Sequence, residues 1–315
     1  MEHFFHGIPR IFYGIPRILR KIYIRVDKDT ANPSKAWERI RIKQQHTRCP
    51  HPDPITPVTP DKIRFVCISD THGKIERSGL RMPPGDVLLH AGDFTTRGQL
   101  TEIEKFNSYL GFLPYKVKVL IAGNHDLTLD EELGDSTLQS FGLQHSEIES
   151  YLKSRGLKSV KEMLTNAVYL LDSSVSICGI KLYGAPWQPI FRNWGFNVKR
   201  GEELLEKWQK IPTDTDILIT HGPPVGHGDL TGGNNNVGCV ELLNTVQKRV
   251  KPKYHVFGHI HESYGVTSDG FTTFINASTC TIRYKPTNSP IVFDFDIPEG
   301  RSKEELLHME KNSSY

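Results

Sequence analysis

Phe65-Val66-Cys67-Ile68-Ser69-Asp70-Thr71-His72 carries a short apolar run directly into two chemically useful polar residues, Asp70 and His72. From Ile63 to Ile68 the run is mostly β-branched or aromatic, which predicts a strand buried on both faces. Four more apolar runs end in the same manner. Val87 to Leu89 leads to Gly92-Asp93, and Val117 to Ile121 leads to Gly123-Asn124-His125-Asp126. Ile217 to Ile219 leads to Thr220-His221-Gly222, and Val256-Phe257 to Gly258-His259-Ile260-His261. In an open α/β sheet, ligand sites gather beyond the carboxyl ends of the strands. Asp70 and His261, far apart in the chain, are therefore expected to be neighbours.

Between these runs, apolar residues at helical spacing predict helices at Glu102 to Leu110, Val160 to Leu164, Glu202 to Lys210 and Val240 to Val250. Further strands are expected at Val168 to Leu171, Ser176 to Tyr183, Thr272 to Asn276 and Ile291 to Phe295. Two packed sheets flanked by helices accommodate them all.

The chain's 315 residues suffice for one large α/β domain with an extension. Charge is uneven: residues 1–48 carry eleven Lys/Arg and four Asp/Glu, or +7, against +3 for the whole chain, which leaves −4 for residues 49–315. A mildly acidic body lacks the concentrated basic face that long nucleic acids require. The leader repeats Gly-Ile-Pro-Arg-Ile at Gly7 to Ile11 and Gly14 to Ile18. Its mixture of basic and apolar residues offers a weak contact for an anionic membrane or a partner, but proline opposes a continuous amphipathic helix. A flexible leader with one strand is the favoured reading. Residues 49–61 hold five prolines in thirteen positions, which marks a stiff linker. The expected organisation is a basic extension and linker over 1–61, a catalytic body over 62–297 and a polar tail over 298–315. Five cysteines without C-x-x-C spacing, and no apolar stretch long enough to span a bilayer, predict reduced thiols in a cytoplasmic protein. A homodimer is left open.

Carboxylates, imidazoles and one amide, with no cysteine among them, suit divalent cations such as Mn, Fe or Zn. Two cations about 3.5 to 4 Å apart activate water between them and grip phosphoryl oxygens. Such a pair needs a bridging carboxylate, and Asp93 is the best placed, because Gly92 gives the backbone freedom for a sharp turn. Asp70 and His72 lie on the same side of an extended segment, and His259 and His261 share that spacing. Each motif alone has an ordinary explanation: His72 as a helix cap, Asn124 in a turn, Asp93 as an N-cap. The five together favour the metal site. Asp126 either orients His125 or is solvated. His90 and His255 read as core or supporting residues, and His227 as part of a loop near His221 with no assigned role. The run Gly92-Asp93-Phe94-Thr95-Thr96-Arg97-Gly98 lacks the middle aspartate of Ser/Thr protein phosphatases, which ranks that activity low. Trp187, Phe191, Trp194 and Phe196 form an aromatic loop suited either to packing or to stacking a nucleobase. Thr231 to Asn236 reads as a mobile loop.

The ordered set D-x-H, G-D, G-N-H-D, H-G and G-H-x-H resembles the calcineurin-like metallophosphoesterase superfamily. Phe65 to His72, Tyr183-Gly184-Ala185-Pro186-Trp187, Val237 to Asn244 and Ile275 to Cys280 are similar to the metallophosphoesterase-domain-containing (MPPED) proteins. The likeness covers about residues 62–297. It implies a four-layer αββα sandwich with two mixed sheets flanked by helices. It also implies a first metal on Asp70, His72, Asp93 and His261, and a second on Asp93, Asn124, His221 and His259. Manganese is the expected ion, with iron or zinc as alternatives. His125 would act on the leaving oxygen as general acid or charge stabiliser, sharing the substrate with Asn124. The implied activity is hydrolysis of small phosphodiesters, cyclic nucleotides above all, by metal-bridged hydroxide. Some members of that family have glycine in place of His259 and weakened metal-dependent activity. The histidine here favours an enzyme over the alternative, a nucleotide-binding or scaffold protein with little turnover.

Overall fold

The computed structural model describes residues 23–50, 52–77 and 79–307. The leader repeats, with their expected membrane contact, and the last residues of the tail lie outside the described residues.

Two sheets face each other. In the five-stranded sheet the spatial order is Ile291–Asp296, Lys62–Ile68, Val87–Ala91, Val117–Ile121 and Val168–Tyr169; the first pair is antiparallel and the others parallel. The seven-stranded sheet runs Thr47–Arg48, Gly265–Ser268, Thr273–Asn276, Tyr254–Phe257, Ile217–Thr220, Ile180–Ala185 and Ser173–Ile177. Its four central strands are parallel and its edges antiparallel.

Alternation within each strand makes the layers. Ile63, Phe65, Cys67, Leu89, Ile219 and Val256 point into the core between the sheets. Val66, Ile68, Leu88, Leu218 and Phe257 point outward, beneath the helices. The Leu100–Phe112 helix covers one outer face with Ile103, Phe106 and Leu110, and Glu202–Gln209 covers the other with Leu204, Leu205 and Trp208. Both faces of the central strands are thus apolar, and the order helix, sheet, sheet, helix is that of the αββα sandwich.

Three local expectations change. Ser176 to Tyr183 is a hairpin, not one strand: Ser173–Ile177 and Ile180–Ala185 join through Cys178 and Gly179, at φ 48° and 82°. Positive φ at both central positions gives the turn the twist that a tight hairpin needs. Val160–Met163 is a 3-10 turn, too short for an α-helical ladder. Val240–Thr245 is α-helical, but its continuation Val246–Val250 widens to a π-helix that stops at Lys251 in the left-handed region. Two polar helices, Asp135–Ser140 and His145–Ser154, lacked a readable stripe; the second buries only Ile148 and Leu152.

The segment before the proline-rich linker is docked on the body. Asn32 caps the Pro33–Ile40 helix by accepting from Lys35 N, and Thr47–Arg48 adds an edge strand along Gly265–Ser268. Buried Glu241 accepts from Asp27 N at 3.2 Å and from Thr30 Oγ1 at 3.0 Å. Among the described residues, no helix is long and apolar enough to cross a membrane.

Candidate metal centre

The five motif-bearing strands end along one edge, where Thr279 N donates to Ser69 O at 2.7 Å and links the sheets. Asp70, His72, Asp93 and His259 sit at φ 52°, 45°, 57° and 68°. Left-handed geometry is uncommon for such residues and persists where neighbours over-determine it. Here Asp70 N donates to Gly92 O at 2.9 Å and His72 N to Asp93 O at 3.0 Å. His259 N lies 3.1 and 3.0 Å from the two Asp70 carboxylate oxygens.

The ring orientations say what these residues can hold. His125 Nδ1 meets Thr96 O at 2.7 Å, His221 Nδ1 meets Ala91 O at 2.8 Å, and His261 Nδ1 meets Thr281 O at 3.0 Å. A carbonyl only accepts, so each Nδ1 carries the hydrogen and each Nε2 is turned inward. There His221 Nε2 faces Asn124 Oδ1 at 3.0 Å and Asp93 Oδ1 at 3.4 Å. His261 Nε2 faces Asp70 Oδ1 and His72 Nε2, each at 3.3 Å. Neutral imidazoles would set lone pairs against oxygen lone pairs, a conflict that a cation or added protons resolve. Three groups have ligand atoms within 4.8 Å of one another: Asp70, His72 and His261; His72, Asp93 and His125; and Asp70, Asp93 and His221. Oxygen and imidazole donors on this scale fit divalent cations.

The sequence candidates converge unequally. Asp93 is central, with Oδ2 3.9 Å from the Nε2 atoms of both His72 and His125. Asn124 reaches the cluster through His221. His259 stands beside His221, ring centroids 5.1 Å apart, and belongs to none of the three tight groups. His125 belongs to one of them, and Trp194 stacks behind it at 3.9 Å.

Burial opposes charge throughout the site, but the partners decide. Burial would lower the pKa of His221, yet Asp93 and Asp70 outweigh it and hold it at about 9. Burial is likewise outweighed at His261, which its hydrogen bond to Asp70 holds at about 9. Burial wins at His72, lowered to about 4, and at His259, lowered to about 3. The Asp70 and Asp93 carboxyls, despite burial, are held below the usual carboxylate range by the surrounding histidines. In metal-stripped protein, His221 and His261 therefore keep protons that a cation must displace. Because these pKa values lie above the ordinary 6.5 of histidine, the stabilisation they bring is full below that pH and fades as pH rises through about 9. Cation affinity should follow the opposite course, strengthening as pH climbs towards 9. Calorimetric metal titrations near neutral pH, in two buffers of different ionisation enthalpy, should register proton release; equal heats in both would contradict it.

Asp126 neither touches the His125 side chain nor meets solvent. Buried, it accepts from Asp93 N, Gly123 N, Thr95 N and Thr95 Oγ1 at 2.8 to 2.9 Å, tying the Asp93 turn to the Asn124 turn. His90 pairs with Thr71 Oγ1, His255 with Thr220 Oγ1, and His227 stacks on Phe274, all three buried. Sequence reasoning missed Ser278, which donates to Asp70 Oδ2 at 2.8 Å, and Tyr284, whose ring lies 4.7 Å from that of His72. Ser278 lies within the noted Ile275 to Cys280 run; Tyr284 carried no signal. A cavity of about 440 Å³ opens over Asp93, Asn124, His125, His259 and His261.

Residues 63–263 match the calcineurin-like phosphoesterase family. A human protein, metallophosphoesterase domain-containing protein 1, is 50% identical over 288 residues, spanning 89% of this chain and 87% of its own length. Its mouse counterpart matches with the same identity and coverage. With that agreement over most of both chains, and with the buried Asp/His cluster at the strand ends, this chain belongs to the calcineurin-like phosphoesterases and, among them, to the metallophosphoesterase-domain-containing (MPPED) family.

Proposed function

We propose that the protein is a metal-dependent phosphodiesterase acting on small phosphodiesters, with cyclic nucleotides as the leading class. The observation that carries this reading is the set of inward Nε2 atoms facing Asp70, Asp93 and Asn124, each fixed by a backbone carbonyl at Nδ1. Asp70, His72, Asp93 and His261 would hold one cation; Asp93, Asn124, His221 and His259 would hold the other, manganese in both positions. A bound pair supplies Lewis acidity at the phosphoryl oxygens and makes water a stronger acid.

The chain's own residues do the rest. His125, locked at Nδ1 by Thr96 O and backed by the Trp194 ring, presents Nε2 to hand a proton to the departing oxygen as its bond to phosphorus breaks. The Asp126 carboxylate holds the turns of Asp93 and Asn124 in one rigid frame, so substrate meets preset geometry. A cavity of about 440 Å³ and an acidic body favour a small substrate over a polynucleotide.

The test is hydrolysis of bis(p-nitrophenyl) phosphate by metal-stripped protein to which Mn²⁺ is restored, beside a His259→Gly variant. Restored turnover that falls about a hundredfold in the variant, the loss of about 2.7 kcal/mol of transition-state stabilisation, supports the proposal. Inactivity with every divalent cation despite proven metal binding would refute it and leave a nucleotide-binding protein of the same fold.

A further inference from the structure

The walls of the cleft combine a group of apolar side chains with Thr231, Arg200 and Glu262, while its floor holds the Asp/His cluster. Ile190, Phe191, Ile282 and Tyr284 are 40 to 60% exposed, and all four line this cavity. Isolated exposed apolar side chains are ordinary, but four around one polar site mark a ligand-facing surface. Of the four aromatic residues in the loop 187–196, the fold buries Trp187 and Phe196 and stacks Trp194 on His125, which leaves Phe191 to the cleft.

Phe191 is held there by its own loop. Asn197 Oδ1 accepts from Phe191 N at 3.1 Å, while Asn197 Nδ2 donates to the carbonyls of Phe191, Arg192 and Trp194. The Phe191 ring stands edge-on to His259, centroids 5.7 Å apart. Tyr284 stands at the other group of imidazoles, 4.7 Å from His72 and 5.4 Å from His261. Lys74 fixes its backbone by donating to Tyr284 O at 2.6 Å. The backbone that carries each ring is therefore held before a ligand arrives, which reduces the ordering cost of binding.

Each ring is bordered by a cation: Arg192 Cζ lies 5.4 Å from the Phe191 centroid and Lys74 Nζ 5.4 Å from that of Tyr284. Among the described residues lining the cavity, Arg200 alone of the Lys/Arg type is present, and its guanidinium is turned to Gly238 O and Val237 O. Flat contact with the two rings is then the feature of this lining suited to tell one ester substituent from another.

We propose that Phe191 and Tyr284 are specificity-determining residues that select phosphoesters bearing a planar aromatic substituent, an aryl group or a nucleobase, over alkyl esters of the same charge. The assignment rests on the phosphodiesterase reading of the same cleft, and binding separates the two. Phenyl phosphate and methyl phosphate are titrated calorimetrically into Mn²⁺-loaded wild type, Phe191→Ala, Phe191→Tyr and Tyr284→Leu proteins. Wild type should favour the phenyl compound by about tenfold or more, a ring contact of about 1.4 kcal/mol. Phe191→Ala and Tyr284→Leu should each lose most of that preference through weaker phenyl phosphate binding, and Phe191→Tyr should retain it. Equal affinities in wild type, or variants that weaken both ligands alike, would overturn the assignment of these two residues. Turnover of bis(p-nitrophenyl) phosphate by the same wild-type preparation reports on the enzyme reading alone. A ring preference without turnover keeps the specificity assignment and removes the enzyme; turnover without a ring preference does the reverse.

Discussion

Asp93→Asn protein is expected to remain folded and to lose the proposed Mn²⁺-dependent phosphodiester hydrolysis by about a thousandfold or more, about 4 kcal/mol of transition-state stabilisation. The two carboxylate oxygens have different tasks. Oδ1 accepts the backbone N–H of His125 at 2.7 Å, which an amide oxygen can still do. Oδ2 faces the Nε2 atoms of His72 and His125, where an amide NH₂ brings hydrogens and no donor electrons. The neighbouring turns keep their frame, because Asp126 grips Asp93 by its backbone. A second readout accompanies the loss. Burial already lowers the His221 pKa, and Asp93 is the leading influence raising it, so the variant's His221 should give up its proton at lower pH in metal-stripped protein. Unfolding curves, metal content per chain and hydrolysis rates together decide the matter. Activity within tenfold of wild type would show that Asp93 is not the shared carboxylate.

What the sequence discloses about this site, and what it hides, follows from the range of the interactions. Ile63 to Ile68 and Val117 to Ile121 are readable because a strand buried on both faces needs continuous apolar residues, and the polar motif then marks where the strand leaves the core. The Cys178–Gly179 turn is hidden because its first residue is not the asparagine or aspartate that usually announces two positive φ angles. The docking of residues 23–48 is hidden for another reason. Its anchor Glu241 lies more than 200 residues away, and nothing local in Asp27 or Thr30 points to it. Asp126 illustrates the limit within a motif. Its place beside His125 suggests orientation of that ring, yet its carboxylate takes hydrogen bonds from Asp93, Thr95 and Gly123 instead. Tyr284 reaches the candidate metal-binding histidines from a segment without any motif, so only the folded chain reveals it.

Gly258→Ala should leave the sheets intact and weaken cation binding by about ten- to a hundredfold. An alanine Cβ at this position would lie 2.0 Å from Asp70 Oδ2 and 2.2 Å from Ser69 Oγ. Neither atom can yield freely. Asp70 is held by Ser278 Oγ and by the His259 backbone, while Ser69 bonds through Oγ to Gly92 O and through its carbonyl to Thr279 N. Relief must come from moving the Asp70 carboxylate or the His259 backbone, both of which the proposed metal site needs. Overpacking of this kind costs about 1 to 3 kcal/mol, and each 1.4 kcal/mol is about tenfold in affinity. Gly134→Ala is the matching control, since an added Cβ there meets nothing within 4 Å. Metal titration of stripped wild type and both variants, with thermal unfolding of each, separates the effects. Unchanged affinity in Gly258→Ala would mean that Asp70 can shift at no cost to the cation, and so is not one of its ligands. A selective loss would identify the glycine before His259 as the space that lets the fifth motif close on the first.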